Sequence, residues 1–295
     1  MKTNLTKTFV LLGLSTVLFL SSCSKGGDGM SPTGTDPYGN PPATNPPATN
    51  SNLQLTTDTK FGNILTDSKG RTLYFFSIDA NGTSGCSGGC EIAWPVYYAG
   101  NETAPAGIAA TDIKTITRAD GKKQTTYKGW PLYYYAADSK QGDVGGDGSG
   151  GTWFVAKPDY SIMLASYQLV GLDGKNYLDG AKEGTGITQY FTDAAGRTLY
   201  AYAPDTFNKN TYTKADLSNN GIWPIYESEV LNVPSVLTKD MTVQITSVGK
   251  KQLTYKGHPL YYFGSDAKRG YTKGVSVPVP GVWPILTLNT ASLTN

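Results

Sequence analysis

The chain has little of several residue types on which catalytic and nucleic-acid sites depend. Among its 295 residues there are one His and three Cys, and only 16% are charged, well below the roughly 25% of ordinary soluble domains. A His-based zinc site and a Ser-His-Asp triad are therefore excluded unless His258 serves alone. The net charge of +2 gives no electrostatic basis for binding nucleic acid. The low charge content also excludes a coiled coil and a charge-rich disordered chain.

The first 22 residues have the pattern of an export signal. Lys2 and Lys7 flank the start of an apolar stretch at 9–20, which is too short to cross a bilayer comfortably. The stretch ends in Leu-Ser-Ser before Cys23, and this resembles the lipobox of bacterial lipoproteins. The resemblance implies cleavage before Cys23, attachment of a diacylglycerol to its thiol, and anchoring through more than one acyl chain. A secretory peptide with an incidental Cys is the alternative.

A spacer follows Cys23. Residues 24–51 are almost entirely Gly, Pro, Asn, Thr and Ser, so they cannot bury enough apolar surface to fold. Its proline pairs favour extended polyproline II, in which about 28 residues reach roughly 90 Å. We therefore expect 23–52 to be a disordered tether that holds a domain away from a lipid surface. Ser24 follows the Cys, and an Asp at that position would indicate retention in the inner membrane. We therefore expect the outer membrane, and the sequence does not indicate whether the protein faces the periplasm or the cell surface.

The rest of the chain is a tandem duplication, and each half contains two related quarters. Gly-Arg-Thr-Leu-Tyr at 70–74 recurs at 196–200. All four quarters share Leu-Tyr-x-aromatic-x-x-Asp, followed by a Trp at a similar distance. The Tyr, aromatic, Asp and Trp of the four quarters are Tyr74, Phe76, Asp79 and Trp94; Tyr133, Tyr135, Asp138 and Trp153; Tyr200, Tyr202, Asp205 and Trp223; and Tyr261, Phe263, Asp266 and Trp283. We predict two domains of one fold, 53–165 and 166–295.

Local signals along these halves are those of β-structure. Asp-Gly at 120–121, between arms rich in β-formers, is a strong hairpin signal, and Val-Gly occupies the matching position at 248–249. Helical periodicity is almost absent, and we expect at most a short helical turn before Trp94 and before Trp223. The sequence therefore predicts an all-β fold. Two small barrels, two sandwiches and one four-bladed ring remain open as arrangements.

The four motifs, the Cys-x-x-x-Cys before Trp-Pro and the lipobox together resemble a family of bacterial secreted-repeat lipoproteins of unknown function. The resemblance extends over roughly 61–286 and implies an envelope location and internal duplication, but it supplies no reaction. Cys86 and Cys90 precede Trp94 as in the family pattern, whereas the matching stretch 217–224 has no Cys. Any role that needs both thiols can therefore exist only once in this chain.

Cys86 and Cys90 are the only thiols that remain once Cys23 is acylated. In an oxidising compartment the pair predicts a structural disulfide that staples the turn before Trp94. A thiol redox site and a soft-metal site are the alternatives. The spacing is not Cys-x-x-Cys, and no Lys, Arg or His within 84–96 would stabilise a thiolate. A disulfide across so short a segment stabilises by about 1–2 kcal/mol, so its reduction should loosen the turn without unfolding the protein.

The motif aspartates and aromatics have a structural and a functional interpretation. An Asp just past a strand forms an Asx-turn with the following backbone, and the alternative is a ligand or an acid. The Tyr and the second aromatic of each motif are two residues apart, so they share one sheet face. We expect that face to lie in the core. The alternative is an exposed aromatic platform for sugars or other flat ligands.

The glycine-rich loop 145–151 and His258 also have a structural and a functional interpretation. The glycine-rich loop 145–151 lacks the Lys and the helix of a phosphate loop, which favours a flexible loop; calcium binding with Asp138 and Asp143 is the alternative. His258 aligns with Trp130 of the first half, which favours packing over catalysis. The sequence indicates no metal site, no cofactor and no catalytic constellation.

These observations favour a lipid-anchored envelope protein that is not an enzyme and acts as a binding or structural module. The second hypothesis is an envelope redox or electron-transfer accessory that uses Cys86 and Cys90 with the aromatic interior. A hydrolase is a distant third, because spacing locates no carboxylate pair. We expect a monomer that is attached to the membrane through its lipid, with an unidentified ligand or protein partner.

Overall fold

The computed structural model describes residues 53–179 and 181–294. The signal segment 1–22, Cys23 and the tether lie outside these residues. Within them, short strands are joined by long loops. The strands of the first half are β1 (Gln54–Asp58), β2 (Gly62–Thr66), β3 (Tyr74–Phe76), β4 (Ile113–Thr117), β5 (Lys123–Tyr127), β6 (Trp130–Tyr133) and β7 (Trp153–Val155). Those of the second half are β8 (Met163–Tyr167), β9 (Leu169–Val170), β10 (Asn176–Leu178), β11 (Lys182–Glu183), β12 (Thr188–Thr192), β13 (Thr242–Ser247), β14 (Lys250–Tyr255) and β15 (His258–Pro259).

Helical structure in the described residues is confined to single turns. The one α-helix, α1 (Gly89–Ala93), ends directly before Trp94, where the sequence allows a short helical turn. The 3₁₀ turns are Ser77–Asp79, Ala110–Asp112, Ser149–Gly151, Lys239–Met241 and Lys273–Ser276. The all-β prediction is therefore confirmed.

A five-stranded antiparallel sheet in the order β4-β5-β6-β3-β7 forms the centre of the first half. In it the motif strand of one quarter runs beside the motif strand of the other, because Tyr74 on β3 pairs with Tyr133 on β6. The second half repeats this contact as an isolated bridge between Tyr200 and Tyr261. The tandem repeat that the sequence predicts is thus visible in the pairing of its motifs.

Both predicted hairpins are present. β4 pairs with β5 around the Asp-Gly turn, where Gly121 has a φ of 80°. β13 pairs with β14 through Val248 and Gly249, which have φ values of 50° and 76°. Two successive positive φ angles are what a two-residue type I′ turn requires, and glycine adopts them without strain.

The second half contains an insertion that the first half lacks. β1 pairs with β2, and their equivalents, β8 and β12, pair in the same way, but in the sequence the three strands of the sheet β11-β10-β9 lie between β8 and β12. Since β8 is the counterpart of β1, we name 53–162 repeat 1 and 163–294 repeat 2. The domain boundary that the sequence predicts, between 165 and 166, lies inside β8.

Buried side chains run without interruption from one repeat into the other. One cluster joins Phe75, Trp130 and Tyr160 of repeat 1 to Phe191 and Leu253 of repeat 2. Apolar burial of this kind is the main favourable term in holding two such bodies together. The two repeats therefore share part of their core.

Candidate functional site

The motif tyrosines and aspartates form four hydrogen-bonded pairs, and each pair joins two different quarters. In repeat 1, Tyr74 donates its hydroxyl to Asp138 Oδ2 at 2.5 Å, and Tyr133 donates to Asp79 Oδ2 at 2.6 Å. The matching pairs of repeat 2, both at 2.6 Å, are Tyr200–Asp266 and Tyr261–Asp205. Each strand end is thus fixed by the tyrosine of the other quarter.

The second carboxylate oxygen of each motif aspartate accepts a backbone N–H from the loop that follows it. Asp79 Oδ1 accepts from Gly85 at 2.6 Å, and Asp138 Oδ1 accepts from Gly145 at 3.0 Å. The equivalents in repeat 2 are Thr211 N–H on Asp205 and Lys273 N–H on Asp266. The predicted Asx-turn would close over two residues, but these loops close over six or seven. In two of these loops the next N–H also donates to a tyrosine hydroxyl, that of Gly146 to Tyr74 Oη and that of Gly274 to Tyr200 Oη.

Burial shifts the acidity of these groups. Desolvation raises the pKa of Asp79 to about 7, although the hydroxyl of Tyr133 and the N–H of Gly85 favour the ionised carboxylate. It raises the pKa of Asp266 to about 6 in the same way. The pKa values of Asp138 and Asp205 are also raised by burial. All four motif aspartates are buried in the folded chain.

A pair of stacked tryptophans fills the centre of each repeat. The ring centroids of Trp94 and Trp153 are 3.9 Å apart, and those of Trp223 and Trp283 are 3.8 Å apart. The motif tyrosines meet these planes edge-on, with the Tyr74 centroid 5.5 Å from that of Trp94, a favourable geometry for aromatic pairs. The second motif aromatics also pack on the stacks: Phe76, Tyr135, Tyr202 and Phe263. Of these, Tyr135 and Tyr202 are partly exposed.

A glycine packs against each tryptophan stack. A Cβ on Gly146 would lie 2.8 Å from the Trp94 ring, and a Cβ on Gly274 would lie 2.7 Å from the Trp223 ring. The close approach leaves no room for a side chain at either position. Part of the glycine-rich loop is therefore held against the core, although the sequence favours a flexible loop there.

The segment before the first tryptophan is closed differently in the two repeats. In repeat 1, Cys86 and Cys90 form the predicted disulfide. In repeat 2, Tyr212 stands at the position of Cys86, and its ring packs on the tryptophan stack. Asn219 Nδ2 donates to Tyr212 O at 2.8 Å, while Asn219 Oδ1 accepts from Lys214 N–H at 3.0 Å. Two hydrogen bonds of one amide side chain thus take the place of a covalent bond.

Repeat 1 has a buried cation beside its disulfide, which the local sequence does not reveal. Arg118, with its side chain 3% exposed, donates to Cys86 O at 2.7 Å and to Gln124 Oε1 at 2.8 Å, and it is ion-paired with Glu91. The β4–β5 hairpin brings it there from 28 positions beyond Cys90. The sequence showed no cation within 84–96, and the fold supplies one. In repeat 2 the corresponding glutamine, Gln252, accepts from Asn210 at 2.9 Å.

A second recurring Tyr–Asp contact was missed at the level of sequence. Tyr134 donates to Asp67 Oδ2 at 2.9 Å, and the guanidinium of Arg71 lies 4.1 Å from the Tyr134 ring centroid. In repeat 2 the same set is Tyr262, Asp193 and Arg197. Asp67 Oδ1 also accepts from the N–H of Lys69, so this aspartate forms the Asx-turn expected of the motif aspartates. The sequence did contain a signal for this contact: Asp-x-x-Gly-Arg recurs at 67–71 and 193–197, and a second Tyr follows the motif Tyr at 134 and at 262.

A family model described as a secreted repeat of unknown function matches 55–97, 114–157 and 242–287. Three segments of the chain are thus copies of this secreted repeat. The matched segments contain three of the four Leu-Tyr motifs, and the quarter with Tyr200 lies outside them. No curated protein and no solved structure matches the chain.

The quarter outside the matched segments has no cysteines before its first tryptophan, whereas the matched segment 55–97 has Cys86 and Cys90 there. Its Tyr212 and Asn219 stand where the other repeat has its disulfide. Its Tyr200 nevertheless donates to Asp266 at 2.6 Å, as Tyr74 does to Asp138 in repeat 1. The quarter that the family model does not match therefore has the same Tyr–Asp hydrogen bond as the matched ones.

The remaining candidate residues have ordinary surroundings. His258 Nε2 lies 2.9 Å from Ala291 O. Asp143 Oδ2 accepts the N–H groups of Ser139 and Lys140 within its own loop. In the part of the chain that the structure describes, no group of three or more His, Cys, Asp or Glu could hold a metal ion. None of the helices in the same part has the length and apolarity to span a membrane.

Proposed function

We propose that this secreted-repeat protein is a lipid-anchored module of the bacterial outer membrane that acts by binding or by structural display and catalyses no reaction. One observation carries the proposal: the polar groups of the motif tyrosines and aspartates bond to one another inside the fold. Each motif aspartate accepts a tyrosine hydroxyl and a backbone N–H, and the motif rings pack on a tryptophan stack. Polar groups that are already satisfied in a core are not free to act on a substrate. A partner would therefore meet the outer surface of the repeats.

The anchor is supported by the export signal and by the match of three segments to a secreted repeat. Cys23→Ala should abolish acylation and release the protein from membranes. The test is metabolic labelling with a palmitate analogue, followed by detergent partition. The double variant Cys86→Ser/Cys90→Ser is the matched control, because it removes the other two thiols and should label like the unmodified chain. Equal labelling of Cys23→Ala would refute the anchor.

The competing function is an envelope redox accessory, and the position of Arg118 favours it. A neighbouring cation lowers the pKa of a thiol and makes it more reactive. Two observations support an inert bridge instead. Cys86 is fully buried, and the charge of Arg118 is already neutralised by Glu91.

Equilibration of the purified protein with a series of glutathione ratios separates the two functions. A structural bridge should have a reduction potential below about −300 mV. A potential in the range of the catalytic oxidoreductases, with a thiol of lowered pKa, would replace the proposed binding role by electron transfer. Arg118→Gln is the matched variant, because a redox role predicts that its loss raises the thiol pKa.

A further inference from the structure

Repeat 2 contacts repeat 1 at several places, and one of them is a small set of contacts around Gly129. Trp130 Nε1 donates to Ala194 O at 3.0 Å, and Arg269 Nη1 donates to Lys128 O at 3.2 Å. The guanidinium of Arg269 also lies 4.7 Å from the Trp130 ring centroid. A Cβ on Gly129 would lie 1.8 Å from Arg269 Nη1, so the glycine makes room for the guanidinium. We call residues 128–130 the docking face of repeat 1.

Repeat 2 has the same face at 256–258, and there a segment of its own chain covers it. His258 aligns with Trp130, and its Nε2 lies 2.9 Å from Ala291 O, as Trp130 Nε1 lies 3.0 Å from Ala194 O. Residues 287–293 thus supply a backbone carbonyl at the place where the next repeat supplies one in repeat 1.

The hydrogen bond to the carbonyl of Lys128 also has an equivalent in repeat 2. Leu293 N–H donates to Lys256 O at 2.9 Å, just as Arg269 donates to the equivalent carbonyl of Lys128. Lys256 Nζ in turn donates to the carbonyls of the same segment at Leu288 and Thr290. A Cβ on Gly257 would lie 2.5 Å from the Phe207 ring and 3.2 Å from the Cβ of Leu293. The segment therefore reproduces the two hydrogen bonds made at Lys128 and Trp130 of the docking face, and Leu293 packs beside Phe207 over the equivalent glycine.

We propose that 287–293 is a capping segment, which shields a surface built to receive another secreted repeat, and that the occupant it excludes is repeat 1 of a second copy of this chain. The surface with which repeat 2 docks is formed by Ala194 and Arg269. Its counterpart in repeat 1 is formed by Ser68 and Gln141, and both of these side chains are exposed. A head-to-tail contact between copies would thus use one covered face and one open face.

Two amino-acid differences weaken the head-to-tail contact between copies compared with the contact between repeats within one chain. His258 stands in place of Trp130, and Gln141 stands in place of Arg269, so the interaction of a guanidinium with an indole ring is lost. A head-to-tail interface whose rotation does not close a ring extends into filaments unless something terminates it. The capping segment and the two replacements both act against such growth.

Sedimentation analysis over a range of concentrations tests the proposal. The full chain should be monomeric, and a chain ending at Leu286 should associate. Adding Gln141→Arg and His258→Trp to the shortened chain should tighten association about tenfold, which is the effect of one such cation–aromatic contact. The same two substitutions in the full chain should leave it monomeric, because the segment still covers the face. A folded shortened chain that stays monomeric with both substitutions overturns the proposal, as does association of the unmodified full chain.

Removal of residues beyond Leu286 also removes Leu288, which packs on the shared core and could be needed for folding. A second variant therefore tests the proposal without truncation. If near-UV circular dichroism shows that the shortened chain is unfolded, the full chain with Leu293→Asp, Gln141→Arg and His258→Trp takes its place. The carboxylate should lift the segment from Gly257 and permit association. A folded, monomeric triple variant would overturn the proposal.

Discussion

Repeat 1 and repeat 2 have the same aromatic core, although the loop before the first tryptophan is closed in a different way in each. Repeat 1 uses a disulfide between Cys86 and Cys90, and repeat 2 uses the amide of Asn219. The tryptophan centroids are nevertheless 3.9 Å apart in one stack and 3.8 Å in the other. The covalent bond is therefore not what positions the rings. The features common to both repeats, the stack and the crossed Tyr–Asp pairs, set the geometry.

Magnitudes explain why the two closures can replace each other. A disulfide that closes so short a loop removes little entropy from the unfolded chain and contributes about 1–2 kcal/mol. Each hydrogen bond of Asn219 contributes about 1 kcal/mol, and the side chain makes two of them. The disulfide and the two hydrogen bonds therefore contribute similar free energies, and either can close the loop.

Breaking the stack should have the largest effect, and it should be equal in the two repeats. Trp94→Ala and Trp223→Ala each remove a buried indole from a stacked pair, which costs about 3–5 kcal/mol. Urea unfolding followed by circular dichroism measures the loss. Ile92→Ala is the control, because that side chain is 66% exposed and should change little. A much smaller loss for Trp94→Ala would mean that the disulfide, and not the stack, holds repeat 1.

Removal of a motif hydroxyl should have the next largest effect, and it should differ between the repeats. Tyr133→Phe and Tyr261→Phe each deprive a buried carboxyl of its donor, at a cost of about 1–3 kcal/mol. Asp79 remains close to the charge of Arg118, which partly compensates. The larger loss is therefore expected for Tyr261→Phe.

The same unfolding experiment compares these two variants. Tyr167→Phe, at a side chain that is 38% exposed, serves as the control and should leave the free energy of unfolding unchanged. Equal losses at Tyr133 and Tyr261 would show that Arg118 does not compensate.

Patterns that are local in the sequence were predictable from it. The duplication and the two hairpins follow from recurring letters and from turn residues whose conformation is nearly fixed, such as Gly121 and Gly249. The disulfide followed from an even number of exported thiols close together. Short-range chemistry decides all of these, so a single sequence carries the information.

Contacts that depend on the path of the chain in space were not predictable. Tyr74 meets an aspartate 64 positions away, and spacing alone cannot tell whether a motif pairs with itself or with its neighbour. Arg118 reaches the disulfide only because the β4–β5 hairpin folds back over α1. The Asn219 closure left no signal, since nothing in the sequence marks an amide as the substitute for a cysteine.

Opening the two closures should have a smaller and similar effect in each repeat. Cys86→Ser/Cys90→Ser should cost about 1–2 kcal/mol, and Asn219→Ala should cost about 1–2 kcal/mol because two hydrogen bonds are lost. Unfolding with and without a thiol reductant distinguishes them. The reductant should destabilise the unmodified chain and Asn219→Ala, and it should not affect the double serine variant. Complete unfolding of the double variant would show that the two closures are not equivalent.

Mild acidification should produce the smallest effect, a gain in stability that arises mainly from repeat 1. The pKa of Asp79 is raised from 3.8 to about 7 in the folded protein, so the native state takes up a proton before the unfolded chain does. The stabilisation is complete below the unfolded pKa and is lost as the pH rises through the folded value. Lowering the pH from about 7.5 to about 6 covers only the upper part of this window and should add about 1 kcal/mol. The pKa of Asp266, at about 6, contributes mostly at lower pH. Urea midpoints at the two pH values test this, with Asp79→Asn as the variant that should lose the gain. An equal gain in Asp79→Asn would assign the effect to another group.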